Sequence, residues 1–464
     1  MRAVVLTHSW GGGTELFENE LLLNRNFDFI FFRVKYEKSQ MKIRGMLDSE
    51  RTFYDSEWFE PTFQCIEDIF SSISYDLLLI DFILPIPQLI EFLQYVNVPM
   101  VYVMHDHHAI NYDIERDMHV DCNITGNFFS TLNISSISKQ YLDSSAQHRR
   151  DYESVLRRCF AVSTPSQRNK AIFRAFFPDI VVYTAPNRPA ATTTTTISTT
   201  TTTTTTTTRA STSAGYLDNI RLVVLGALSV GKGSHVIQDV SNICSPSPSP
   251  RISNTHSIGC NFTIYHIGTA ANYRRGVGEE NHVISLGAYN TSEYLLTLIA
   301  SVQPDYIWFP ANRHESYCYM LDNVISSGGY PIIAADTGSF PERLFLRPNS
   351  YIGNGCMGAE AWAEFILQVH RSRNNNSNTN TPTTTTTTNT TTSLALWGDL
   401  KRVRYDFDSF AQFLQAVYLF QGAGRSHPVE DWKIFSSLIR KRKFIVGKKK
   451  FLKFIRKIKR DNKD

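Results

Sequence analysis

Short apolar runs punctuated by Gly, Pro and Asp recur along this chain, and stretches long enough for a helix separate them. In the first half the runs are Ala3 to His8, Phe27 to Val34, Tyr75 to Ile83, Val98 to His105, Cys159 to Ser163 and Ile180 to Thr184. In the second they are Arg221 to Leu225, Asn261 to Ile267, His282 to Leu286, Asp305 to Phe309 and Tyr330 to Ala335. Runs with no polar alternation read as strands buried on both faces, which is the condition of a parallel sheet. Strand and helix-length spacer in turn predict repeated βα units. The fold class expected is α/β, with two doubly wound Rossmann-like domains.

Two low-complexity tracts, Thr192 to Thr208 and Asn374 to Thr392, break this pattern. Neither holds enough apolar surface to offset the entropy of ordering it. The expected organisation is therefore a first domain over 1–190, a Thr-rich linker over 191–215 and a second domain over 216–435 carrying a low-complexity insertion at 374–393. Mucin-like stalks are the other reading of such tracts. It is disfavoured because Met1-Arg2 leads directly into a strand-like run rather than a secretory signal.

Candidate chemistry concentrates between Pro304 and Leu344. Ligands of parallel sheets sit at the carboxyl ends of strands. There, after the run ending at Phe309, come Arg313, His314 and Glu315, followed by a helix-like stretch from Ser316 to Leu321 whose first N–H groups would face a bound anion. A phosphate-bearing substrate fits such a corner. The segment resembles the signature of retaining nucleotide-sugar glycosyltransferases of family 4, in the branch with E-T-Y-S-Y-T-L-x-E-A followed by G-x-x-P-E-R. Glu315, Tyr317, Tyr319 and Leu321 fall in register, as do Gly338, Pro341, Glu342 and Arg343. The resemblance implies the glycosyltransferase-B architecture, two Rossmann-like domains facing across a cleft. It also implies that Glu315 lies beside the donor sugar and diphosphate, with Ser316, Tyr317, Tyr319 and Leu321 around the donor. Asn323 stands where the family has a second Glu for the ribose hydroxyls; its amide can donate and accept hydrogen bonds but carries no charge.

The loop Gly226-Ala227-Leu228-Ser229-Val230-Gly231-Lys232-Gly233 follows another strand. It nearly spells a P-loop, but Gly233 occupies the place where Ser or Thr would hold magnesium. The family's G-x-x-x-x-x-K-G fits better, and implies Lys232 on the donor diphosphate with Gly226 and Gly233 allowing close backbone approach. In the first half, Gly11-Gly12-Gly13 resembles the family's glycine-rich loop, so Gly12 and Gly13 are candidate phosphate and acceptor contacts. His105 and Asp106, in His105-Asp106-His107-His108, resemble the H-D-Y segment whose His contacts the donor sugar. His107 and His108 raise the question of a metal, but no carboxylates at ligand spacing accompany them. Pro165-Ser166 matches a helix N-cap. Tyr289, in Gly287-Ala288-Tyr289, is a candidate border of base or ribose, or equally a core residue.

Composition adds two points. Seven cysteines without CxxC pairs predict free thiols in a reducing compartment, hence a cytoplasmic protein. From Arg440 to Asp464 there are 13 Lys or Arg against 2 Asp, leaving 34 basic and 41 acidic residues elsewhere. An acidic body thus carries a basic tail. Phe451, Phe454, Ile455 and Ile458 have helical spacing within it, as in a helix lying on an anionic membrane, so 440–464 is a candidate peripheral membrane contact. Nucleic acid is the competing partner and a solvated tail the plain alternative. The expected activity is transfer of a hexose from a nucleotide diphosphate sugar to a hydroxyl of a glycan, lipid-linked or protein acceptor. No metal or other cofactor is expected, because Lys232 and the helix N-terminus supply the positive charge. The alternative is a catalytically silent nucleotide-sugar or glycan-binding scaffold of the same fold, which Asn323 suggests.

Overall fold

The computed structural model describes residues 2–8, 13–24, 27–37, 40–48, 63–71, 74–81, 87–110, 146–188, 219–244, 261–269, 283–345, 347–377, 406–407 and 409–421. Gly12, nearly all of the two threonine-rich tracts and the basic tail 440–464 lie outside these residues. The chain divides into two compact units.

The first unit is a seven-stranded sheet of β1 (Arg2–His8), β2 (Asp28–Glu37), β3 (Gln40–Asp48), β4 (Leu77–Ile80), β5 (Met100–Val103), β6 (Ala161–Thr164) and β7 (Val182–Thr184), in the order β3-β2-β1-β4-β5-β6-β7. Every pairing is parallel except β2 with β3. Helices α1 (Gly13–Leu21), α2 (Phe63–Ser71), α3 (Pro87–Tyr95), α4 (Ala146–Leu156) and α5 (Gln167–Phe176) belong to it. The Ser166 hydroxyl caps α5 by accepting the Asn169 N–H at 3.0 Å.

The second unit is a six-stranded, wholly parallel sheet of β8 (Asn219–Leu225), β9 (Asn261–Ile267), β10 (Val283–Ser285), β11 (Tyr306–Phe309), β12 (Ile332–Ala335) and β13 (Ser350–Gly353), in the order β10-β9-β8-β11-β12-β13. Its helices are α6 (Ser234–Cys244), α7 (Ser292–Val302), α8 (Tyr319–Ser327), α9 (Phe340–Leu344) and α10 (Ala359–Ser377). Successive strand residues alternate between two cores. Leu222, Val224, Tyr306, Trp308, Ile333 and Ala335 join one cluster, and Val223, Leu225, Ile307, Phe309, Ile332 and Ala334 join the other. That two-sided burial is why these strands read as unbroken apolar runs. Trp308 and Trp362 of α10 meet edge to face at 5.7 Å and anchor the first cluster. Strand order reverses between β8 and β11, and a ligand crevice opens at the carboxyl ends of such a pair.

The last described helix, α11 (Phe410–Gln421), belongs to the first unit. Asp406 ahead of it accepts from Lys170 Nζ at 2.8 Å and from the Thr184 N–H at 2.9 Å, and Phe407 and Phe413 pack on Tyr183. The sequence expectation kept these residues within 216–435; the structure shows them tied to β7 and α5. Strands β3 and β13 are also additions to the sequence reading, and α10 runs through Asn374 into the start of the expected insertion. One expectation is corrected. Cys244 on α6 is disulfide-bonded, while Cys159, Cys318 and Cys356 form no disulfide. A disulfide need not join a CxxC pair, so the lack of CxxC pairs does not exclude it.

Candidate functional site

In the second unit the two loops that flank the strand-order reversal bring Lys232 and Glu315 together. After β8 the chain makes a single 3-10 turn, Val230–Lys232, and then passes through Gly233 at φ +82° into α6. A side chain at Gly233 would be strained by that φ and would collide with the Pro310 carbonyl, so glycine is what lets this loop lie against the end of β11. Lys232 Nζ then reaches Glu315 Oε1 at 2.5 Å. Arg313 Nε lies 3.7 Å from the same oxygen, its side chain crossing Gly231 so closely that a Cβ there would sit 2.5 Å from Arg313 Cδ. Two cations thus share one buried carboxylate, 5 % exposed, and the cluster keeps a net positive charge.

The loop after β12 holds this corner in shape. The Thr337 hydroxyl donates to Ala311 O at 3.1 Å, the Gly338 N–H to His314 Nδ1 at 3.1 Å, and the Ser339 N–H to Glu315 O at 2.8 Å. Gly338, at φ +53°, lies against the Glu315 backbone with no room for a Cβ. Arg343 of the P-E-R segment reaches back to α8: it donates to Cys318 O at 2.9 Å, pairs with Asp322 and stacks over the Tyr317 ring at 4.3 Å. Tyr317 meets Tyr319 edge to face at 4.9 Å. Cys318, the N-cap residue of α8, gives the helix no side-chain cap, which leaves the first turn suited to an anion. Burial pushes the Cys318 thiol up to about 11, so it is a packing group and no thiolate nucleophile.

The other predicted residues of this unit take distinct places. Leu321 is in the core and its N–H already bonds Cys318 O at 3.1 Å, while Tyr319 is 5 % exposed; both act by packing. Ser316 is partly buried in the loop between Glu315 and Tyr317. Asn323 sits on α8 with its Oδ1 accepting from Ser292 Oγ at 3.2 Å. Tyr289 packs on the core cluster with burial raising its hydroxyl pKa, and Gly226, at φ +99°, faces Met320.

In the first unit His105 pairs through Nε2 with Asp81 Oδ1. Burial opposes charging the ring, but Asp81, with help from Asp106 and Glu18, outweighs it and raises the pKa above that of an ordinary histidine. Asp106 Oδ1 accepts the His108 N–H at 2.8 Å and so shapes the loop. His108 faces inward, its Nδ1 2.7 Å from Tyr152 Oη, and burial pushes its pKa down to about 4. It packs with His148 and Tyr152, and among the described residues no group of three or more His, Cys, Asp or Glu is placed to hold a metal. Gly13 is the exposed first residue of α1. Behind His105 lies a polar set absent from the sequence reading: buried Thr7, Glu18 and Asp81, with the partly exposed Arg33. A faint signal for it exists, since Thr7 and Asp81 stand, like His105, at the carboxyl ends of neighbouring strands.

No protein-family model matches the chain, and no curated protein matches it in sequence. Solved structures do resemble it in shape. Sucrose-phosphate synthase from Thermosynechococcus elongatus superposes with a TM-score of 0.51 at 13 % identity, covering 92 % of this chain and 100 % of that one. HepE from Anabaena, solved with UDP-glucose, gives 0.48 at 16 % identity over 81 % and 91 % of the two chains. WaaG, a glycosyltransferase of lipopolysaccharide biosynthesis, gives 0.44 at 10 % identity over 80 % and 90 %. At such identity the likeness is one of fold, and the fold of this chain is the glycosyltransferase-B type, built from two doubly wound α/β units.

Proposed function

We propose that the protein is a glycosyltransferase that moves a hexose, with retention, from a nucleotide diphosphate sugar to a hydroxyl of a glycan, lipid-linked or protein acceptor. The observation that carries this reading is the Lys232–Glu315 pair at 2.5 Å, seated where the strand order reverses. Lys232, seconded by Arg313 and the uncapped first turn of α8, would neutralise charge building on the departing diphosphate. Preorganised cations in a partly buried site do this without a divalent ion. Glu315 would hold the sugar, and the family resemblance gives His105 the same task. Asn323 would take the ribose.

The test is a panel of nucleotide sugars, UDP- and GDP-linked hexoses among them, screened for thermal stabilisation and then incubated with candidate acceptors, with the product's anomeric configuration read by NMR. Stabilisation by one donor and a product that keeps the donor's configuration are expected. Inversion would reject the retaining assignment, hydrolysis with no acceptor product would reject transfer to these acceptors, and no stabilisation by any donor would reject the donor site. Asn323 motivates one second reading, a silent scaffold that binds a nucleotide sugar without turnover; stabilisation without any product would select it. We also assign 440–464 to an anionic membrane surface. Deleting the tail should abolish sedimentation with phosphatidylserine vesicles and leave transfer to a soluble acceptor unchanged, whereas retention on RNA would favour nucleic acid instead. No described helix is long and apolar enough to cross a membrane.

A further inference from the structure

Five polar groups from five segments of the first unit meet at the carboxyl edge of its sheet. Thr7 on β1 and Glu18 on α1 are 0 % and 3 % exposed, and Asp81 just after β4 is 3 % exposed. Thr7 Oγ1 lies 2.7 Å from Glu18 Oε1 and 2.9 Å from Asp81 Oδ2. Arg33 Nη2 on β2 donates to Glu18 Oε2 at 2.5 Å, and Asp81 pairs with His105 through its other oxygen. The Phe17 ring covers His105 at 4.4 Å.

A hydroxyl has one proton, so Thr7 donates to one carboxylate at a time; its second contact is a hydrogen bond only when that carboxyl carries a proton. The two acids are therefore linked through a single oxygen. Arg33 is always charged and balances one of them. Where neither carboxyl carries a proton, the other is balanced by His105 as an imidazolium, because a neutral ring would then leave an uncompensated buried carboxylate. Among the described residues, the remaining charged groups that act on the site are His8 and Asp106. His8 is held below the ordinary histidine range, first by burial and also by the charges of His105 and Arg33, against the pull of Asp81 and Asp106. The two neighbouring imidazoles are thus shifted in opposite directions, His8 downward and His105 upward.

We propose that Glu18, coupled through Thr7 to Asp81, is a positioning residue that keeps His105 a fixed imidazolium, a donor of hydrogen bonds and positive charge and not a general base. The functional consequence rests on the reading of His105 as a donor-sugar contact; the protonation state itself does not. Arg33 opposes Glu18 in this network, so the two variants Glu18→Gln and Arg33→Met must move His105 in opposite directions.

Full-length protein with isotopically labelled histidines, the His105 signal assigned by its loss in His105→Asn, gives the titration by NMR. At pH 7 the His105 ring should carry both protons. Its midpoint should fall in Glu18→Gln, fall further in Asp81→Asn, by about 1–3 pH units for loss of an adjacent opposite charge, and rise in Arg33→Met. A neutral His105 at pH 7 in the unaltered protein overturns the proposal. So does a midpoint that neither Glu18→Gln nor Arg33→Met moves, and one folded variant of the two suffices for that test. With a donor in hand, the alkaline limb of kcat/KM should shift to lower pH in Glu18→Gln, a change that mere loss of stability would not produce. If no nucleotide sugar binds, the transferase reading fails while the NMR midpoints still decide this one.

Discussion

Lys232→Met is the sharpest perturbation of the donor site. It removes a cation 2.5 Å from a carboxylate whose side chain is 6 % exposed, while Lys232 itself is 23 % exposed. Breaking a fully buried pair by deleting one partner costs about 3–5 kcal/mol. Here Arg313 remains 3.7 Å from the same oxygen, and the lysine is partly solvated, so the loss should be nearer 1–3 kcal/mol. For a unit of this size that is roughly 2–12 °C in Tm. If Lys232 also neutralises the leaving diphosphate, turnover should fall about 10²–10³-fold, equivalent to roughly 2.7–4 kcal/mol. The two effects are similar in size, so lost activity alone does not separate chemistry from fold. Initial rates taken well below the melting transitions do, and the double variant Lys232→Met, Glu315→Gln supplies the stability control. Removing both charges leaves no buried anion without a partner, only Arg313, which is 21 % exposed, and stability should return toward that of the unaltered protein. Initial rates at saturating donor, well below either melting transition, should stay as low as in Lys232→Met. Turnover that recovers along with Tm would show that the lysine only serves Glu315, and unaltered turnover in Lys232→Met would refute the donor assignment outright.

Three further outcomes follow from the geometry. Asn323→Glu should tighten donor binding by about tenfold, since a charged acceptor on a ribose hydroxyl roughly doubles the strength of the bond; calorimetric titration with no gain would mean that Asn323 does not meet the ribose. Gly338→Ala should destabilise the second unit by several kcal/mol and raise the donor KM, because φ +53° and the adjacent Glu315 backbone leave no place for a Cβ; an unchanged melt would contradict the packing of that loop. Burial holds His108 neutral, pushing its pKa down to about 4, so below the ordinary value of 6.5 the unfolded chain takes up a proton that the fold does not, and stability should decline as pH falls from 6.5 to about 4 by roughly 3 kcal/mol; chemical denaturation in which His108→Gln shows the same slope would assign that decline elsewhere.

The sheets were legible because burial on both faces leaves a local mark. β8 can read as Ile-Arg-Leu-Val-Val-Leu only if each alternate side chain has its own core. Two of the four edge strands lack that mark. β3 alternates Met-Lys-Ile-Arg, and β13 is four residues behind an Asn349 in the left-handed region, so neither forms an apolar run. The path of α11 was illegible for another reason: its tie to the first unit runs through Asp406 and Thr184, 222 residues apart, and nothing local to either announces the partner.

The two candidate clusters differ in the same way. Lys232 and Glu315 each follow a strand in a loop of distinctive composition, so sequence could name both, and the strand order alone then brings them together. Glu18 looks like one of three glutamates on a solvated helix. Yet the buried positions of α1 are Thr14, Phe17, Glu18 and Leu21, spaced by three, one and three, which is the apolar stripe of the helix. A carboxylate in that stripe must meet a buried donor, and Thr7 and Arg33 are the donors it meets. Charge placed where periodicity demands a hydrocarbon is thus a sequence signal in its own right. It marks Glu18 before any coordinates are seen, and only the identity of its partners requires the fold.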